Sequence, residues 1–160
     1  MSIPAPGERR LHVQVFEERL FDRVGIGGPI FNCWDDEEFW PERLNQPREL
    51  QLLWAASYCY CDTFNGGFHQ FFTNYTGVLA PEAVEGFRMI GLADCAEIVA
   101  EAMEYFGHPY PRSPEECTRL IPPWPEDQDD GPFDDLDNAF CERMGDRFDD
   151  AADKFAERYL

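Results

Sequence analysis

Three groups of residues carry side chains whose type and spacing could do chemistry. Cys59-x-Cys61 followed by His69 offers two thiols and an imidazole, a donor set suited to zinc. Positions two apart on a helix point ~200° apart, so both sulfurs cannot readily face one ion. Residues 126–137 place Glu126, Gln128 and Asp130 at the first, third and fifth positions of a calcium-type loop, with Gly131 sixth and Asp137 twelfth. The usual first Asp and long twelfth Glu are missing, and Pro132 stiffens the turn. Asn65, His69, Gln70 and Asn74 could line a small polar ligand site, although polar residues flanking a helix turn commonly serve as caps.

Nucleophilic chemistry finds little material. The serines are Ser2, Ser57 and Ser113, none in nucleophile-elbow spacing, and Gly25, Gly27 and Gly28 lack the rest of a dinucleotide fingerprint. His12, His69 and His108 lie far apart with no named partner. An enzyme here would take the form of a carboxylate-lined metal site. The reading adopted is a non-enzyme with no catalytic residue, no cofactor and no resident metal.

The charge balance points elsewhere. Against 13 Lys and Arg stand 32 Asp and Glu, a formal charge of −19 over 160 residues and a pI near 4.3. Nucleic-acid binding needs a basic footprint, so direct contact with DNA or RNA is excluded as a function class, and so is docking on an anionic membrane. From Glu126 to Leu160 there are 13 acids and four bases, so half the excess negative charge occupies under a quarter of the chain. Residues 126–137 hold seven acids and no base.

Placed on one helical wheel, residues 140–160 segregate into three stripes. Glu142, Asp146, Asp149, Asp150, Asp153 and Glu157 form an acidic arc of ~100°. Arg143, Arg147, Lys154 and Arg158 fill the adjacent ~60°, and Phe140, Cys141, Met144, Phe148, Ala151, Ala152, Phe155 and Tyr159 occupy the next ~120°. Six carboxylates over ~22 Å give about one charge per 4 Å, close to the ~3.4 Å phosphate spacing of a DNA strand. With Asp134, Asp135 and Asp137, these six are the candidate partner-binding residues. Asp35-Asp36-Glu37-Glu38 could extend the surface. The plainer alternative is a solvated face whose acids pair with bases a turn away, such as Asp150 with Lys154.

The elements that must carry these groups read as helices. Residues 1–10 are Pro-, Gly- and Arg-rich and are expected to be loose, leaving 11–160 as a single compact multi-helix domain. Residues 11–24 mix strand-like and helix-like spacing and lean towards helix. A firm helix is expected from Arg48 to Phe64, with Leu50, Leu53, Trp54, Ser57, Tyr58, Cys61 and Phe64 as its buried stripe. Asn65-Gly66-Gly67 ends it, and Phe68, Phe71, Phe72 and Tyr75 follow on a short helix. Helices are also expected from Pro81 to Gly91, from Asp94 to Phe106, and after an N-cap at Ser113. Pro122-Pro123-Trp124-Pro125 is an extended linker, and one or two helices finish the chain from about Phe133. No convincing set of alternating strands exists, so the fold class is all-α. The N-terminus shows no apolar run of secretory length and no stretch is long enough to span a membrane, so a cytoplasmic location is expected.

Residues 65–74 read Asn-Gly-Gly-Phe-His-Gln-Phe-Phe-Thr-Asn. This NGGF-x-Q-F-F-x-N block resembles the bacterial family typified by the acidic 19-kilodalton DNA mimic protein. The similarity runs from about Glu49 to Phe106 and resumes around Asp134 to Phe140. The resemblance implies an all-helical protein that can form a homodimer. It also implies a function: occupying the DNA-binding surface of a basic, helix-turn-helix type transcriptional regulator and blocking its DNA binding. The block itself reads as structural, with Gly66 and Gly67 permitting a sharp reversal, the phenylalanines filling core, and Asn65, Gln70 and Asn74 bonding the freed backbone groups. Two further functions stand beside the mimic reading: an inhibitor or immunity protein of a basic nuclease, and the metal-assisted enzyme above.

Overall fold

The computed structural model describes residues 47–121 and 131–159. The expected helix over 11–24, the acids 35–38, the proline linker 122–125 and the acids 126–130 of the calcium-like loop lie outside the described residues. Those described are helical with no strand, as the periodicity requires. Six α-helices appear in order: α1 (Arg48–Thr73), α2 (Ala80–Met89), α3 (Ala93–Met103), α4 (Pro114–Leu120), α5 (Asp134–Met144) and α6 (Arg147–Tyr159). Short 3-10 turns, Tyr75–Leu79 and Glu104–Phe106, follow α1 and α3. Pro47–Gly145 forms one compact unit, and α6 falls in a second.

Helix α1 is the axis of the first unit. It packs against α2, α4, α5 and the 3-10 turn Tyr75–Leu79. The single buried stripe expected for it is too narrow. Leu50, Leu53, Trp54 and Ser57 are buried, but so are Leu52, Ala55, Ala56, Cys59, Asp62 and Thr63, whereas Phe64 is exposed. A helix with neighbours on several sides buries several faces, and periodicity of one stripe does not report that. Gly86 of α2 shows how close the packing runs. A Cβ there would overlap the Leu52 carbonyl oxygen of α1, so only glycine admits this helix approach.

The glycine pair divides α1 where the sequence says it must. Gly66 (φ −149°, ψ 26°) and Gly67 (φ 71°, ψ −177°) leave helical geometry, and the chain re-enters a helix at Phe68. Phe68, Phe71 and Phe72 are fully buried there. Their rings, with Phe87, Phe106, Phe133 and Phe140, make an aromatic core with centroid separations of 4.6–6.3 Å. At the start of α4, Ser113 Oγ accepts from the Glu116 N–H at 3.2 Å, the expected N-cap.

The wheel drawn through residues 140–160 does not survive as one helix. Helix α5 ends at Met144, Gly145 turns with φ 48°, and its N–H bonds the Cys141 carbonyl at 3.0 Å. Helix α6 begins two residues later. Glycine in the left-handed region after the last helical residue is the ordinary helix stop, and it breaks the continuity of the three stripes.

Candidate partner-binding surface

Four of the nine candidate acids belong to α5: Asp134, Asp135, Asp137 and Glu142, opposed on that helix by Arg143 alone. Phe133, Phe140 and Met144, at four-, three- and seven-residue steps that include position 137, form the inward stripe that docks α5 on α1 and α3. Asp135 and Glu142 are exposed and seven residues apart, hence on one face. Asp134 is half-buried at the first turn. Asp134, Asp135 and Glu142 form no ion pair with any described residue.

Asp137 has another occupation. It stands on the apolar stripe between Phe133 and Phe140, half-buried, and its Oδ1 accepts the Phe68 N–H at 2.7 Å. The same carboxylate packs so closely on Gly67 that a Cβ there would collide with it. The carboxylate thus caps the segment of α1 that restarts after the glycine pair, where the backbone N–H groups lack helical partners. Burial pushes the Asp137 carboxyl above its ordinary 3.8; the Phe68 N–H opposes this, the Asp134 charge adds to it and His69 opposes it.

The other polar residues of the glycine block form a network of their own. Asn65 Nδ2 donates to Gln70 Oε1 at 2.9 Å, and Gln70 Nε2 donates to Asp62 Oδ1 at 3.2 Å. Asp62, 2% exposed, takes a second bond on Oδ2 from Thr76 Oγ1 at 3.0 Å. The expectation that Asn65 and Gln70 would bond freed backbone groups is therefore corrected. Their side chains bind each other and a buried carboxylate, while the Phe68 N–H is served from 69 residues away. These bonds occupy the Asn65 and Gln70 amides, two of the four groups that a small polar ligand at Asn65, His69, Gln70 and Asn74 would need.

The remaining five candidates lie beyond the helix break. Asp146 sits between α5 and α6, and Asp149, Asp150, Asp153 and Glu157 belong to α6. That helix also carries Arg147, Lys154 and Arg158, so four acids face three bases in sequence. Asp150 and Lys154 form no ion pair with each other; the Arg158 guanidinium bonds the Lys154 carbonyl at 3.1 Å. The α5 acids thus share one compact unit, and those of α6 lie in the other.

Elsewhere several acids are paired. Arg48 pairs with Glu85 at 2.9 Å, Arg88 with Glu97 at 2.6 Å, and Arg112 with Glu82 at 2.7 Å. A groove of about 310 Å³ between α2 and the end of α3 includes Arg88 and His108 in its walls, and their charged partners Glu97 and Glu104 hold them. Cys59 is fully buried against Thr63 Oγ1, and burial raises its thiol well above 9.0. Among the described residues no three His, Cys, Asp or Glu side chains are arranged to hold a metal ion. No described helix is long and apolar enough to cross a membrane.

Sequence reasoning missed the roles of Asp62 and Asp137. The signal for Asp137 was present: an acid at the core position between Phe133 and Phe140 at helical spacing. A family model described as DMP19-like protein matches residues 44–160. No curated protein and no solved structure matches the chain.

Proposed function

Because the chain belongs to the DMP19-like protein family, we propose that it is a DNA mimic: it binds the DNA-binding surface of a basic, helix-turn-helix type transcriptional regulator and blocks DNA binding. The observation that carries this reading is the set of α5 carboxylates, Asp134, Asp135 and Glu142, which no described cation neutralises, whereas Glu82, Glu85 and Glu97 are paired with arginines. The sequence supports it with a charge of −19 and the base-free run 126–137. Asp146, Asp149, Asp150, Asp153 and Glu157 are proposed as further contacts. Asp137 contributes charge but spends its carboxylate on Phe68. The mechanism is electrostatic steering followed by occlusion of the surface that grips phosphates. At physiological salt the screening length is ~8 Å, so the attraction acts near contact and weakens as salt rises.

The test is capture of a basic DNA-binding protein by the full chain, with release by added duplex DNA and by salt. Reversing Asp134 and Asp135 to Lys, with Asp137 left native, should keep the helical signal and weaken capture on the order of tenfold. Unchanged affinity in that double variant would move the interface off α5. A captured nuclease whose activity the chain abolishes would replace the mimic reading with the immunity-protein one.

A further inference from the structure

Tyr105 is the most exposed large apolar side chain among the described residues, 54% accessible. It does not hang loosely in water. Its ring meets the Phe133 ring edge-on, centroids 5.1 Å apart at 62°. Phe133 is 2% exposed and is itself held 5.4 Å from Phe72 in the aromatic core. The exposed ring is therefore a platform already ordered, at the point where the end of α3 meets the start of α5. A tyrosine so held loses little conformational freedom on binding, as aromatic interface anchors do.

Its surroundings choose the occupant. Glu101, exposed, lies one helical turn before Tyr105, and Asp134 directly follows the Phe133 on which the ring rests. Neither carboxylate has an ion pair with a described residue. An aromatic face among negative charges repels a second copy of this acidic chain and attracts a cation. Arginine fits both features, because its planar guanidinium stacks on an aromatic ring while its fork of donors reaches carboxylates; lysine has only a compact point charge. Resting on the DNA-mimic reading above, we propose that Tyr105 is an arginine-stacking contact: the basic partner lays an arginine on its ring between Glu101 and Asp134.

The test uses the full chain and two probes, a glycine-capped tri-arginine peptide and its tri-lysine counterpart, titrated at low salt with affinity read by NMR. The tri-arginine peptide should move the Tyr105 ring signals and bind the Tyr105→Ala and Tyr105→Leu variants about 2- to 5-fold more weakly. Tyr105→Phe should match the native chain, and tri-lysine should bind all four alike. Leucine performing as well as tyrosine, or equal losses for both peptides, would overturn the proposal. Should the alanine variant fail to fold, the Phe and Leu variants decide. The captured DNA-binding protein separates the two levels. If duplex DNA still competes it off the native chain while arginine binding ignores Tyr105, only the stacking contact falls. If nothing basic is captured, the mimic reading falls with it.

Discussion

Removing the Asp137 carboxylate should cost the fold an amount set by one hydrogen bond. In Asp137→Ala the Phe68 N–H, bonded at 2.7 Å in the native chain, loses its acceptor at a half-buried position. Hydrogen bonds to charged groups contribute ~1.5–3 kcal/mol, and helix N-caps ~0.5–2 kcal/mol. Partial solvent access at Asp137 places the expected loss at about 1–2 kcal/mol. With a urea dependence of ~1–3 kcal/mol per molar, the unfolding midpoint should fall by roughly 0.3–2 M. Asp137→Asn behaves differently, because its amide oxygen can still accept from Phe68 and carries no charge to desolvate. The pH dependence separates the two roles. An acid whose folded value is raised binds its proton more tightly in the folded chain than in the unfolded one. Its stabilising contribution is complete below 3.8 and is lost as pH rises through the raised folded value. Acidification through that window should therefore favour the native chain relative to Asp137→Asn, and at neutral pH the Asn variant should match or exceed it. Far-UV circular dichroism in urea gives the stabilities, and hydrogen exchange at the Phe68 amide reports the cap itself. Equal damage from Ala and Asn, or a Phe68 amide whose protection ignores both, would refute the capping argument.

Two further expectations rest on packing. Gly86→Ala forces α2 away from the Leu52 carbonyl and should lower stability by ~1–3 kcal/mol, measured by the same urea titration; a neutral result would mean that the α1–α2 contact yields freely. Thiol labelling should separate the described cysteines by burial. Cys61 and Cys141, half-buried, react first, and Cys59, Cys95 and Cys117 react only on unfolding. Burial and the nearby Asp137 raise the Cys141 thiol above 9.0, so its labelling should accelerate only in alkaline buffer.

Local rules carried much of this architecture, and their reach explains what they missed. The reversal at Gly66–Gly67, the Ser113 cap and the helical class follow from residues within a few positions of one another, where propensity and capping act. The end of α5 was equally readable, because Gly145 after Met144 is a helix stop, yet the charge pattern drew the wheel straight across it. The Phe68–Asp137 bond and the burial of α1 on several faces depend on tertiary neighbours, which spacing along one segment does not contain. For the candidate surface, the sequence named the acids of α5. Which of them is occupied inside the fold was settled by where α5 docks.

The bond between positions 68 and 137 also orders events during synthesis. Helix α1 leaves the ribosome complete while the acid that caps its second segment is still uncoded in the growing chain. Until α5 arrives, the bend at Gly66–Gly67, at two residues with the most backbone freedom to lose, is braced by the local bonds of Gln70 to Asn65 and Asp62 alone. Contacts between α1 and α2 span fewer positions and close at lower entropic cost. A nascent chain stalled before Asp134 would therefore hold its first helices together but leave the Phe68 N–H uncapped and that bend less firmly held, open to chaperones and proteases at the same spot.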